Sequence, residues 1–433
     1  MTRRTTSPRA ARARAGDPPG SAARSPRKRL GAACTAATSA ANRGGLSVLV
    51  LLLGTALSVE LRARADPPRA PQSDTHSDAP SDTPGGRTGT EAPTPDDEPP
   101  RSGWAALPVV TFSPETQLGV GAFAAHFFRL EQESTRSRPS SLAAVALVTT
   151  REQAIFELIQ ELYWDDERWR FWTKADYRHY PNAFWGTGND APEASREWYL
   201  SSGPRIQTQI RRQLVGAFFL ELRGDAEFLR NSDFLEGGLL ATGRIPGARS
   251  GRVVGVGPTI LLDTRNHLLV PREGGFYELS YMQFHGFLGG EFDFAKMVAN
   301  LRRFMPAFQT HVIAVQLYLE ASMGNTPFHR LALIGGQRLL RGYFEGRFRD
   351  RYLMASQVEY RMPLFWRLGA VAFLGAGAVA PTLGTFALRN SKWSLGGGLR
   401  FRLNEAERLN LRADVGLGLF DSWGLYVGIA EAF

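Results

Sequence analysis

From residue 104 onward, apolar and polar positions alternate with a period of two. Across 408–419, Leu409, Leu411, Ala413, Val415, Leu417 and Leu419 fall on one face, and Arg408, Asn410, Arg412, Asp414, Gly416 and Gly418 on the other. In 392–403, Trp393, Leu395, Leu399, Phe401 and Leu403 oppose Ser394, Gly396, Gly398, Arg400 and Arg402. In 313–321, Ile313, Val315, Leu317 and Leu319 oppose Ala314, Gln316, Tyr318 and Glu320. In 169–178, Trp169, Phe171, Ala175 and Tyr177 oppose Arg170, Trp172, Lys174, Asp176 and Arg178. Successive side chains of a strand point to opposite faces, so each run predicts a strand with one apolar and one polar face.

Strands of soluble sandwiches are usually about 5–6 residues long. These runs continue for about 10–12, the length of a tilted strand that crosses a membrane, with lipid on the apolar face and a polar lumen on the other. Backbone groups in lipid must all be paired, which requires closure. The pattern therefore predicts an all-β fold, a transmembrane antiparallel β-barrel of sixteen strands. They lie near 105–112, 117–129, 140–150, 153–164, 169–179, 200–212, 214–229, 252–263, 273–286, 290–303, 309–323, 351–362, 367–380, 392–403, 408–419 and 423–433. An even count puts both ends on one side. With a periplasmic N-terminus, the long segments 180–199, 230–251, 324–350 and 381–391 fall outside, and inner turns such as 165–168 and 404–408 are short, although 130–139 is not. Phe433 ends the last strand, with Leu425, Val427 and Ile429 on its face. An aromatic end of this kind resembles the C-terminal assembly signal of outer-membrane barrels. Glu431 breaks that face and is expected at the headgroup level.

Charge and composition place the rest of the chain. The formal net charge is +9. Residues 1–65 hold twelve Lys/Arg against Asp17 and Glu60, so the remainder is close to neutral and the basic balance does not imply a nucleic-acid partner. Basic residues before the apolar run 46–59 and the small-x-small site Ala63–Ala65 read as a signal segment over 1–65. The run of about 14 residues is short of the roughly 20 that span a bilayer as a helix. Residues 66–103, rich in Pro, Asp, Ser and Thr, read as a disordered linker, leaving 104–433 as the barrel. The one cysteine, Cys34, lies in the leader, so no disulfide framework is expected.

The segment 335–364, GGQRLLRGYFEGRFRDRYLMASQVEYRMPL, is a glycine- and arginine-rich loop followed by a strand. It resembles the sixth extracellular loop and twelfth strand of the BamA/TamA superfamily, the bacterial surface-antigen barrel domain, in a form lacking periplasmic POTRA repeats. Arg341, Gly342 and Tyr343 match its Arg-Gly-Phe/Tyr loop motif. Residues 263–278, with Asp263, Thr264, Arg265, Pro271 and Gly275, resemble the family's strand-and-turn motif, and 180–190 resembles a segment of members without those repeats. The resemblance implies that the loop folds into the lumen and that Arg341 meets Glu359 on the inner wall. It also implies protein insertion or translocation through a wall that opens where first and last strands meet. The family's next strand usually carries Phe-x-Asp-x-Gly. Here 373–377 reads Phe-Leu-Gly-Ala-Gly, so Gly375 stands where a second acid is expected. The turn motif is read as structural.

A hydrolase would need a nucleophile, a base and an orienting group. The seven His residues are scattered, and no Gly-x-Ser-x-Gly, His-Glu-x-x-His or Cys/His cluster occurs, so neither catalysis, a cofactor nor a metal is expected. The expected partners are outer-membrane lipid, unfolded or nascent outer-membrane proteins, and a periplasmic protein supplying the missing repeats. The expected location is the outer membrane of a Gram-negative bacterium. The alternative is a passive pore or structural outer-membrane barrel working with a separate periplasmic partner. Pro108 in the first strand, and Gly424 and Gly428 in the last, predict a weak seam between them.

Overall fold

The computed structural model describes residues 102–130, 138–404, 409–419 and 422–433. The leader, nearly all of the linker and most of the 404–408 turn lie outside them. The strands are β1 (Ser102–Ser113), β2 (Gln117–Phe128), β3 (Ser140–Thr149), β4 (Ala154–Trp164), β5 (Trp169–Phe184), β6 (Glu197–Val215), β7 (Phe218–Ser232), β8 (Ser250–Asp263) and β9 (Gly274–Phe284). There follow β10 (Phe294–Ala307), β11 (His311–Gly324), β12 (Ala332–Ile334), β13 (Phe348–Asp350), β14 (Tyr352–Pro363), β15 (Leu368–Ala380), β16 (Lys392–Asn404), β17 (Leu409–Gly418) and β18 (Ser422–Ile429). Sixteen close into one antiparallel barrel. The other two, β12 and β13, pair with each other within the connection from β11 to β14.

The wall is inverted relative to a soluble protein. Leu399 and Val110 are about three-fifths exposed (59% and 60%), while Glu359 and Asp414 are fully buried. An exposed apolar belt around a buried polar interior fits lipid outside and a packed lumen inside. No helix among the described residues is long and apolar enough to cross a membrane. Ion pairs bridge the inner wall, including Arg170 to Glu161 (2.6 Å), Lys174 to Glu157 (3.2 Å) and Arg223 to Glu278 (3.1 Å).

Each predicted segment corresponds to a wall strand, with four instructive departures. The ladder between β5 and β6 continues from Tyr180–Ser201 to Phe184–Glu197, beyond the predicted ends, because the protruding hairpin leaves lipid and loses its alternation. β10 starts four residues late, since His285 and Asp293 accept from backbone N–H groups of the preceding turn. β1–β4 carry apolar residues on the inner face as well. Leu107, Val109, Phe123, Val145 and Ile159 pack there against Leu268 and Leu269, which the β8–β9 turn delivers from across the lumen. Apolar contacts between wall and turn thus replace the polar lining predicted for this arc.

The fourth departure is at the C-terminus. β18 stops at Ile429, and Ala430 adopts a left-handed φ of 63°. Residues 430–433 leave the wall and enter the lumen. Phe433 packs on Phe304 and Ala314, and its main-chain carboxyl accepts from Arg361 (2.9 Å). Glu431 accepts from Arg400 (2.7 Å) and from Asn410 (2.9 Å). Phe433 therefore does not share a lipid face with Leu425, Val427 and Ile429, and Glu431 faces the lumen, not the lipid headgroups. Two buried guanidinium groups outcompete the extended conformation that alternation suggested.

Candidate functional site: the lumen loop and the seam

The connection between β11 and β14 folds inward on a core of its own. Ala332, Ile334, Leu340, Tyr343 and Phe348 pack against Val298, Tyr318, Leu353, Ala355 and Val379 of the wall. This burial offsets the cost of ordering a long loop. It delivers Arg341, 1% exposed, to the inner wall.

There the guanidinium makes two ion pairs, one through Nη2 with Glu359 on β14 and one through Nη1 with Asp414 on β17. It also lies over the Phe373 ring on β15, 3.5 Å from the centroid, so its flat face is covered as well as its edge. Arg361 donates to Glu359 (2.7 Å), and Arg400 pairs with Asp414. Glu359 therefore shares Arg341 with a second acid. Asp414 is the second acid, and Gly375 faces Leu340 of the loop, to which an added Cβ would come within 3.3 Å. Register explains the exchange. Glu359, Phe373, Gly396 and Gly416 form one cross-strand row, and Asp414 sits one inward step along β17 from Gly416.

Gly342 has φ 114°, and a Cβ there would lie 2.6 Å from the Gly418 nitrogen. A Cβ on Gly416 would lie 2.5 Å from the Arg341 carbonyl carbon. Loop and strand backbones touch because both sides lack side chains. The Gly342 N–H donates to the Tyr426 hydroxyl (2.9 Å), and the single proton of the Tyr343 hydroxyl is shared between the carbonyls of Trp393 (2.8 Å) and Leu419 (2.9 Å). The loop is thus fastened to β16, β17 and β18 by hydrogen bonds as well as charge.

Two further clasps hold it. Residues 180–190 run along the end of β5 and over the loop, where the Gly188 N–H donates to the Arg349 carbonyl (2.8 Å) and Trp185 packs on Phe344 (5.3 Å between centroids). Glu115, in the β1–β2 turn, accepts from the Glu345 N–H (2.7 Å). Burial, and then the nearby Glu345 carboxylate, push the Glu115 carboxyl up to about 7. The sequence offers no local signal for Glu115, whereas Asp414 stands visibly on the polar face of β17.

Asp263, Thr264, Arg265, Pro271 and Gly275 lie apart from the loop motif, at the β8–β9 turn. Asp263 accepts from Arg265 through both oxygens (2.9 and 2.7 Å), and Thr264 exchanges hydrogen bonds with Gly275. These bonds define the turn that carries Leu268 and Leu269 into the lumen.

The seam closes the ring with very little. β1 meets β18 at one pair, Phe112 with Val427, reinforced by the Thr111 hydroxyl donating to the Val427 carbonyl (3.4 Å). By contrast, β1 pairs with β2 along its full length, from Ser102–Phe128 to Ser113–Gln117.

Comparison with known proteins places this arrangement. An Omp85 superfamily domain matches residues 253–424, which include the loop, Glu359 and Asp414. The fold is similar to BamA from Haemophilus ducreyi lacking POTRA domains 1–3 (TM-score 0.53, 13% identity, 76% of this chain and 70% of that one). It is also similar to CdiB from Acinetobacter baumannii (0.50, 13%, 76% and 60%) and to CdiB from Escherichia coli (0.52, 12%, 76% and 62%). The chain thus spans less than two thirds of either CdiB chain. No curated protein matches the sequence.

Proposed function

We propose that this Omp85 superfamily barrel inserts or translocates other proteins at the outer membrane of a Gram-negative bacterium, and that it works by parting β1 from β18. The observation that carries this reading is the seam. One residue pair joins the two strands, and the tail beyond Ile429 is held inside the lumen instead of extending the ladder. Few hydrogen bonds then have to break for an edge to open, and an open edge is a template for an incoming strand. The loop motif keeps the β14–β18 arc rigid while the seam parts. Its clients would be unfolded or nascent outer-membrane proteins, with a separate periplasmic protein as a partner. None of the site residues is assigned a catalytic role.

A double variant, Phe112→Cys with Val427→Cys, tests this. Disulfides form at Cα separations of about 4.4–6.8 Å, which paired residues of neighbouring strands satisfy. Lateral opening predicts that the oxidised barrel folds and stays in the membrane but loses its cellular role, and that a reductant restores it. Full activity of the oxidised form would favour a passive or structural barrel.

A further inference from the structure

Behind the seam, inside the lumen, lies a cavity bounded by Thr111, the β8–β9 turn, the loop, β17 and the inward tail. Four guanidinium groups line it, those of Arg265, Arg302, Arg338 and Arg412, against the main-chain carboxyl of Phe433, which Arg361 engages, and one side-chain carboxylate, that of Glu431. That carboxylate is occupied by Arg400 and Asn410. Arg265 is matched by Asp263, outside the lining. Arg302 and Arg412 are less well served. Arg302 donates to the amide oxygen of Asn300 (3.1 Å) and stands beside Phe276, as Arg265 does. Arg412 donates to the amide oxygen of Gln337 (2.7 Å) and reaches Asp414 only at 3.5 Å, a carboxylate already holding Arg341 and Arg400. Its Nε, on a side chain 4% exposed, has no hydrogen-bond partner among the described residues.

Burying cationic groups without matching anions is costly, and guanidinium edges are the preferred partners of oxyanions. We infer that this cavity is an anion site, taking a compact phosphate group between Arg302 and Arg412. Two amide oxygens now hold donors that a phosphate oxygen would receive as stronger, charge-assisted bonds. The apolar side of the cavity, Leu268, Leu269 and Ile429, lets the phosphate belong either to a lipid headgroup or to free inorganic phosphate. The inference does not depend on the translocation reading, since it rests on charges inside the lumen.

The test is phosphate binding to the full chain in nonionic detergent. Titration calorimetry and phosphorus NMR would be run with inorganic phosphate, and separately with dihexanoyl phosphatidylglycerol below its micelle concentration, at constant ionic strength in chloride. Saturable binding of either is expected. Tighter binding of the lipid assigns the site to a headgroup, and equal or tighter binding of inorganic phosphate assigns it to the free ion. Arg302→Gln should weaken binding about tenfold or more, the worth of one charge-assisted bond, while Arg302→Lys retains most of it. Absence of saturable binding to the unmodified chain would overturn the site, whatever the variants do. So would an Arg302→Gln protein that binds as tightly as the unmodified one.

Discussion

Arg341 satisfies two carboxylates and covers one aromatic face, so its removal leaves Glu359 and Asp414 short of a partner in a buried place. Breaking a buried pair typically costs about 3–5 kcal/mol. Arg341→Ala is therefore expected to release the loop, measured as faster proteolysis within 335–347 while the barrel stays folded. Glu115 sets a second, pH-dependent clasp. Its carboxyl titrates near 7 in the folded protein and near 4.5 when unfolded, so the folded state holds the extra proton between those values. Its contribution is full below about 4.5 and is lost as pH rises through about 7, where the buried, ionised carboxylate lies near that of Glu345. Hydrogen exchange at the Glu345 amide should speed up between pH 5 and pH 8 beyond its intrinsic rise. Glu115→Gln should flatten that excess. Arg341 was legible in the sequence because its motif is contiguous. Asp414 and Glu115 carry no such contiguous mark, because their partners are 73 and 230 residues away and only the closed fold brings them together.

At the scale of elements, β17 has two jobs that its sequence writes on alternate positions. Its outward residues, Leu411, Val415 and Leu417, are exposed to lipid, while inward Gly416 and Gly418 leave a lane for the loop backbone. Gly416→Val would place a side chain where the Arg341 carbonyl now lies, 2.5 Å from a Cβ at that position. The strand itself should tolerate valine, a good strand former. The expected outcome is an intact barrel, by heat-modifiable gel mobility, whose loop is unseated and protease-sensitive. An unchanged cleavage rate would mean that this lane does not hold the loop. Period-two alternation identified all sixteen wall strands, because lipid and lumen act on alternate residues. It misplaced the ends of β5, β6 and β10, where the chain leaves lipid and that constraint stops.

For the whole molecule, the ring consists of strands joined by long ladders and one joint, between β1 and β18, made by a single residue pair. The crosslink between positions 112 and 427 acts on that joint alone. It should raise resistance to heat unfolding in detergent, since it closes the ring covalently, even as it removes the proposed activity. A locked barrel no more heat-resistant than the reduced one would show that the seam is not the first place to part.

Alternation and strand length were enough to determine a sixteen-strand barrel, and a contiguous motif carried the family resemblance that marks its arginine loop, because these depend on residues adjacent in the chain and on a solvent that differs on the two faces. What lay inside the barrel was decided only by closure. Register set Asp414 beside Arg341 and left Gly375 without an acid. Curvature let the β8–β9 turn reach the inner face of β1–β4, making that arc apolar. Buried guanidinium groups drew Glu431 and Phe433 off the wall. These outcomes are competitions among groups far apart in sequence for partners in a space without water, and no local pattern records which group wins.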